Sequence, residues 1–333
     1  MTTNAEAGTV PAAASASHRL TGGWRIVARK ELAEYLRSVR FLVLLVLVSL
    51  AGLAAVHSAT GPIRDATESA SQTPSVFLLL FTLSPERVPA FHEFVGILGP
   101  LLGIAFGFDA IGGERSQRTL PRLVSQPIHR DDVINGKFAA GLAAITLVLG
   151  CVTTIVVGYG IWQLGLLPGA SEVARIVAFV VVAVAYVALW LGLAILVSVL
   201  TRRAATAALV TIAAWLVVSL FAGLIAGVIA DTVSPVDDAT NTEQVIDNAR
   251  TELRVRRFSP DQLYTEATSV LLNPARQTTG ILVLEPGSQA LRSTLSLQQS
   301  LLLAWWQVMA VVAGAIVVFT TAYLTFLRQE IRA

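Results

Sequence analysis

The sequence predicts an all-α membrane protein with six transmembrane helices. Hydrophobic residues make up 54% of the 333 residues and charged residues only 14%, and the mean hydropathy is +0.68. A soluble domain could not bury that much apolar surface. Six stretches reach the length of about 20 apolar residues that a spanning helix needs. These stretches are residues 41–59, 94–113, 138–161, 176–200, 204–230 and 301–327.

The stretches differ in how clearly they predict a span. Residues 138–171 contain no charged side chain, whereas one charge at the centre of a span costs about 2.5–3.5 kcal/mol. The second stretch is the least clear, because only residues 94–108 are free of charge and Asp109 lies near its end. The apolar segment 76–83 is too short to span, which predicts an interfacial or re-entrant segment.

Basic residues in the short loops predict that both termini are cytoplasmic, because cytoplasmic loops carry the excess of Lys and Arg. With six spans and the N-terminus inside, fifteen basic residues fall on the inner segments, and only Arg64, Arg87 and Arg175 fall on short outer loops. The inner segments are residues 1–40, 109–137, 201–203 and 328–333. The net charge of +2 reflects this bias and implies no nucleic-acid partner.

The chain before the first span divides into two parts. Residues 1–20 are rich in Ala, Ser and Thr and predict a flexible tail rather than a cleaved signal. Residues 21–40 have helical periodicity and predict an amphipathic helix in the headgroup plane. Its apolar stripe consists of Trp24, Val27, Ala28, Leu32, Tyr35, Leu36 and Val39, and its basic stripe of Arg25, Arg29, Arg37 and Arg40. This helix is either a simple membrane anchor or a contact with a partner.

Residues 41–230 hold spans one to five, and residues 300–333 hold span six and the tail. Between them, the predicted outer loop 231–299 carries two helical patterns, an amphipathic one at 243–257 and a second beginning at Ser259-Pro260. Ser at the N-cap and Pro in the first turn are typical of a helix start, and Asn273-Pro274 predicts its end. The two helices are expected against the outer mouth, as a lid or a docking surface.

The spacing Gly99, Gly103 and Gly107 in the second span allows another helix backbone to approach closely. One interpretation is a contact between subunits or a gating contact. The other is ordinary packing within one bundle.

The sequence lacks the motifs of a self-powered transporter or an enzyme. No GxxxxGK[ST] loop occurs, the four histidines have no metal-ligand spacing, and the single Cys151 excludes intramolecular disulfides. None of the last four spans has an acid or a base in its middle, which argues against a proton-coupled carrier. If this bundle transports a solute, it therefore needs an external source of energy.

The polar segment 109–137, DAIGGERSQRTLPRLVSQPIHRDDVINGK, resembles the cytoplasmic loop of permease subunits of the ABC-2 class of ATP-binding-cassette exporters. It has Asp109, Glu114-Arg115, Thr119-Leu120, Pro127 and Gly136-Lys137 at the positions of that pattern. Arg118 departs from it, since the family usually has Gly there. The chain is most similar to the branch that includes the permease of nitrous-oxide-reductase maturation.

The resemblance implies a coupling helix at residues 115–125, which would lie in a groove of a separate ATPase subunit. The coupling residues it implies are Glu114, Arg115, Arg118, Thr119, Leu120, Arg122, Leu123, Val124, Ser125 and Pro127. It also implies that residues 24–40 form a connecting helix. The connecting-helix residues it implies are Trp24, Arg25, Arg29, Tyr35 and Arg37.

By this resemblance the chain is the non-enzymatic permease half of an exporter in a prokaryotic plasma membrane. It would pair with a second permease copy or a paralogue, and ATP and magnesium would bind to the partner ATPase rather than to this chain. The alternative is a membrane scaffold that docks an extracytoplasmic protein through residues 231–299 and moves no solute. The sequence does not identify the substrate or the direction of transport.

Overall fold

The computed structural model describes residues 22–69, 75–85, 88–116, 129–236, 241–279 and 294–329. Within these ranges the chain is helical and has no strand. The α-helices are α1 (Gly23–Arg37), α2 (Val39–Ser69), α3 (Val76–Thr82), α4 (Phe91–Gly107), α5 (Gly112–Ser116), α6 (Arg130–Leu164), α7 (Ala170–Leu200), α8 (Ala204–Leu216), α9 (Ala222–Val233), α10 (Thr242–Arg256), α11 (Pro260–Leu272) and α12 (Leu297–Arg328). A π-helical turn, Val217–Phe221, joins α8 to α9.

The all-α class and the six predicted spans are confirmed, including the second one. Six helices are long and apolar enough to cross a membrane. Their bounds are Val39–Asp65, Phe91–Glu114, Arg130–Leu164, Ala170–Leu200, Ala204–Val233 and Leu297–Arg328. The third begins eight residues before the predicted stretch, because residues 130–137, four of which are charged, continue the helix beyond its apolar part.

The ends of the helices follow from local chemistry. The Ser296 side chain accepts a hydrogen bond from the Gln299 backbone and caps α12, while the Gln299 side chain binds back to the Ser296 backbone. Helix α6 ends at Gly165, whose φ of 65° is a left-handed conformation that favours glycine. The boundary between the third and fourth spans is thereby fixed.

The fourth span, α7, forms the centre of the bundle. It packs against α4, α6, α11 and α12, and 67% of its most apolar window is buried, compared with 6% for the fifth span. Tyr186 and Trp190 are among its fully buried side chains. The fifth span therefore contributes little to the core of this chain.

The glycine stripe of the second span packs against α7. A Cβ added at Gly103 would lie 2.7 Å from the Val187 carbonyl oxygen and 2.8 Å from the Leu191 nitrogen, and one at Gly107 would lie 2.7 Å from the Ala194 Cβ. At such distances only glycine lets the two backbones approach. These glycines serve packing within one bundle, the second of the two interpretations.

We expect Gly103→Ile to destabilise the protein strongly, because the new side chain meets backbone atoms that cannot rotate away. Overpacking of this kind costs about 1–3 kcal/mol or more. The measurement is the thermal unfolding midpoint in detergent. Gly227→Ile is the matched control, because no atom lies within 4 Å of a Cβ added there. Equal midpoints for the two variants would contradict the packing role.

The short helix α3, predicted as an interfacial or re-entrant segment, is enclosed by other helices of the bundle. Phe77, Leu78, Leu80 and Phe81 are almost completely buried, and α3 packs against α2, α4, α7 and α11. The Phe81 ring meets the Phe91 ring edge to face at 5.4 Å. Its apolar composition therefore reflects burial in protein.

The sequence pattern predicts helix α11 at the outer mouth of the bundle. In the structure it extends along the fourth span, inside the bundle. At its C-terminal end the Leu271 carbonyl accepts a hydrogen bond from Arg175, six residues into α7. At its N-terminal end Asp261 accepts one from Tyr186, eleven residues further along α7. At 1.5 Å per residue this is a descent of about 16 Å along the fourth span.

Candidate coupling site

The segment between the second and third spans is described only at its two ends. Glu114 is described in full, and the backbone of Arg115 lies in α5. Residues 117–128 lie outside the described residues, and with them most of the predicted coupling residues. These are Arg118, Thr119, Leu120, Arg122, Leu123, Val124, Ser125 and Pro127. The candidate coupling site is therefore described through the contacts of the residues that flank this segment on both sides.

Three charged side chains from three helices meet at one buried point, which we call the Lys137 triad. The Lys137 Nζ lies 3.0 Å from the Glu31 Oε1 and 2.8 Å from the Glu114 Oε1. The side chains of Lys137, Glu31 and Glu114 are only 4%, 9% and 15% exposed. Buried charges are tolerated when they are paired, so each member of the triad needs the others.

The sequence around Lys137 brings α1 against α6. A Cβ added at Gly136 would lie 2.6 Å from the Val27 Cβ and 2.8 Å from the Trp24 carbonyl oxygen. Glycine at this position therefore allows α1 to contact the α6 backbone. The next residue, Lys137, then reaches Glu31 one turn further along α1.

The first turn of α1 is capped by a residue of α6. Its own N-cap residue is Gly22, which has no side chain to accept a hydrogen bond. Instead the Trp24 backbone nitrogen donates to the Asp132 Oδ1 at 3.0 Å. A carboxylate beside a helix N-terminus also complements the helix dipole, so Asp132 attaches α1 to the residues that follow the undescribed segment.

A second group of contacts joins α1 and the start of α2 to the end of the second span. The Tyr35 hydroxyl donates to the Phe106 carbonyl oxygen at 2.9 Å. Arg40 forms an ion pair with Asp109, and its guanidinium lies 5.0 Å from the centre of the Phe108 ring. Burial, with the nearby Glu31 and Asp109 carboxylates, raises the pKa of Tyr35 far above its usual value. Tyr35 therefore stays a neutral donor.

Of the predicted connecting-helix residues, the structure brings only Tyr35 into the site by its side chain. Arg25, Arg29 and Arg37 are exposed, and Trp24 takes part through its backbone. The buried face of α1 consists of Gly23, Val27 and Glu31.

Sequence reasoning missed two residues of the site, Glu31 and Asp132. A signal for Glu31 was present: it lies four residues after Val27 and four before Tyr35, so it falls on the apolar stripe. A charge on such a stripe indicates a buried partner. For Asp132, no comparable pattern in the sequence pointed to α1.

A second buried polar cluster lies in the half of the bundle that holds α11. Glu266 accepts hydrogen bonds from Arg257 and Gln262 at 3.0 Å and from Gln307 at 2.9 Å. Arg175 donates to the Leu271 carbonyl at 2.8 Å, to the Ser300 hydroxyl at 3.0 Å and to the Leu295 carbonyl. The loop between the fifth and sixth spans thus places Arg257 and Glu266 against spans that have no charged residue in their middles. Among the described residues, no group of three or more His, Cys, Asp or Glu has metal-binding geometry.

Six candidate spans, with the two ends of a polar segment held by a helix that precedes the first span, define a polytopic membrane protein. The chain belongs to the ABC-2 transporter family: the family model described as "ABC-2 family transporter protein" matches residues 25–331. This match confirms the resemblance seen in the loop. Membership implies association with an ATP-binding-cassette ATPase. A comparison with curated proteins gave no match.

Proposed function

We propose that this chain is the permease subunit of an ATP-driven exporter and that it takes its energy from a separate ATPase bound at residues 114–127. The observation that carries the proposal is the Lys137 triad. In it Lys137, which follows the undescribed segment, pairs with Glu114, which precedes that segment, and with Glu31 of α1.

The triad supports coupling because it makes one rigid unit of three elements. A partner that displaces residues 117–128 would move α5, α6 and α1 together. Separating these helices would leave Glu31, Glu114 or Lys137 as a buried charge without a partner, which is strongly destabilising. Arg40–Asp109 and Trp24–Asp132 add two further connections to the same unit. Rigid-body motion of this kind is a common way to transmit a conformational change.

The rest of the assembly is part of the same proposal. The chain spans the plasma membrane of a prokaryote. Both termini and residues 117–128 are on the cytoplasmic side, which the excess of basic residues on these segments supports. ATP and magnesium bind to the ATPase. A second permease copy or a paralogue completes the translocation path, and the nearly unburied fifth span offers surface for it. An extracytoplasmic protein that binds near α10 would be a further partner.

The test is Leu123→Asp, expressed together with the ATPase. We expect the variant to insert normally and to lose co-purification with the ATPase by at least tenfold, because a carboxylate would enter an apolar groove. Arg202→Asp is the control, since this exposed residue lies in the short turn between the fourth and fifth spans, on the same predicted side of the membrane.

Two outcomes decide between coupling and a scaffold role. Retained co-purification of Leu123→Asp would contradict binding at this segment. A complex that forms but hydrolyses ATP at the same rate with and without the permease would favour the scaffold.

A further inference from the structure

A cavity of about 440 Å³ lies beside the Lys137 triad, between α1, the end of α4 and the start of α6. Its size is within the range of ligand pockets, roughly 300–1,000 Å³. The charged residues that line it are Lys30, Glu31, Glu34, Arg40, Asp109, Glu114 and Lys137, and among the others are Ala105 and Phe106.

The cavity lies where the apolar spans meet the charged surface. Ala105 and Phe106 belong to the charge-free part of the second span, which ends at Phe108, and the apolar run of the first span begins at Phe41. Arg40 and Asp109 lie directly outside these two runs and pair with each other. This is the depth of phospholipid headgroups, so the molecule best suited to the cavity is an amphiphile.

The charges of the lining distinguish between headgroups. Glu31 and Glu114 are engaged with the buried Lys137. At the rim, Lys30 and Glu34 lie 3.3 Å apart with 58% and 60% of their side chains exposed, and Arg40 is 54% exposed. Exposed ion pairs contribute little to stability, so Lys30 and Glu34 can turn to a ligand at little cost. Arg40 stays paired with Asp109, and its guanidinium has further N–H groups that can donate to a ligand.

We propose that the cavity binds the headgroup of a phospholipid with a primary ammonium, the phosphatidylethanolamine class. The ammonium donates to Glu34, and the phosphate accepts from Lys30 and Arg40. A quaternary ammonium, which has no N–H, cannot make the first of these contacts. The four carboxylates of the lining outnumber its three cations, which disfavours a lipid of net negative charge.

The test measures lipid retention by the purified full-length chain, taken from nanodiscs with equal parts of phosphatidylethanolamine, phosphatidylcholine and phosphatidylglycerol. Native mass spectrometry counts the lipids that stay bound. We expect phosphatidylethanolamine to be retained at least fivefold over each of the other two. In Glu34→Arg the preference should change to phosphatidylglycerol, because the rim then carries three cations. Glu243→Arg, the same change at an exposed residue of α10, should keep the original preference.

Equal retention of the three lipids by the unmodified chain would overturn the proposal, as would an unchanged preference in Glu34→Arg. Glu34 is exposed and its ion pair is with an exposed lysine, so the variant should fold. If it does not, Glu34→Gln must lower phosphatidylethanolamine retention while leaving that of phosphatidylcholine unchanged. The measurement needs no ATPase, so its failure would leave the proposed function intact.

Discussion

Replacing Lys137 by Met is expected to be the most damaging single change at the candidate coupling site. The side chain keeps most of its length, but Glu31 and Glu114 would remain buried next to each other without a cation. Removing one partner of a buried ion pair costs about 3–5 kcal/mol, and here two carboxylates lose the same partner. We expect a much lower unfolding midpoint in detergent and loss of permease-dependent ATP hydrolysis.

A triple variant separates stability from coupling. In Glu31→Gln, Lys137→Met and Glu114→Gln together, no buried charge remains, and neutral replacement of a buried ionic group is often tolerated. We expect most of the unfolding midpoint to return. ATP hydrolysis should stay low, since the three helices are no longer joined by charge. If hydrolysis returned in full, the triad would be a packing feature only.

Replacing Arg175 by Met is expected to have the second largest effect, at the opposite part of the bundle. Its guanidinium is the donor to Leu271, Leu295 and Ser300, and it thereby fixes α11 and the start of α12 on α7. Hydrogen bonds to charged groups are worth about 1.5–3 kcal/mol each. Without them, the buried Leu271 carbonyl and the partly buried Leu295 carbonyl lose this donor, and α11 should become mobile.

Hydrogen exchange is the measurement for Arg175→Met. We expect faster exchange across Pro260–Leu272, with little change in Gly23–Arg37, which lies far from the substitution. Arg64→Met is the control, because Arg64 is an exposed arginine whose side chain donates to Gln163 of α6. Unchanged exchange in α11 would show that its position depends on apolar packing of residues such as Tyr264 and Leu271, and not on Arg175.

The sequence predicted the parts of the fold that depend on length and apolar composition. All six spans are such parts, because a helix in lipid must satisfy its backbone hydrogen bonds within itself. The start of α11 at Ser259-Pro260 also follows from local signals. The depth of α11 does not, because it depends on partners far along the chain, such as Tyr186 and Arg175.

The coupling site was predictable only in part, for a similar reason. The family resemblance singled out Glu114, and the amphipathic pattern singled out Tyr35. Glu31 and Asp132 contact residues about a hundred positions away. The apolar stripe of α1 could have indicated that Glu31 is buried, but no pattern of period 2 or 3.6 identifies the distant partner of either residue. Glycines that allow close contact, such as Gly103 and Gly136, show the same limit, since a glycine in a sequence does not reveal which backbone approaches it.

The cap on α1 has a consequence for the order in which parts of the protein fold during synthesis. Trp24 and the Asp132 carboxylate that caps it are 108 residues apart. At a synthesis rate of about 5–20 residues per second, roughly 5–20 s pass between them. During that interval the first helix has neither its cap nor its contact with Gly136. Helix α1 can therefore dock on the third span only after the start of that span has left the ribosome.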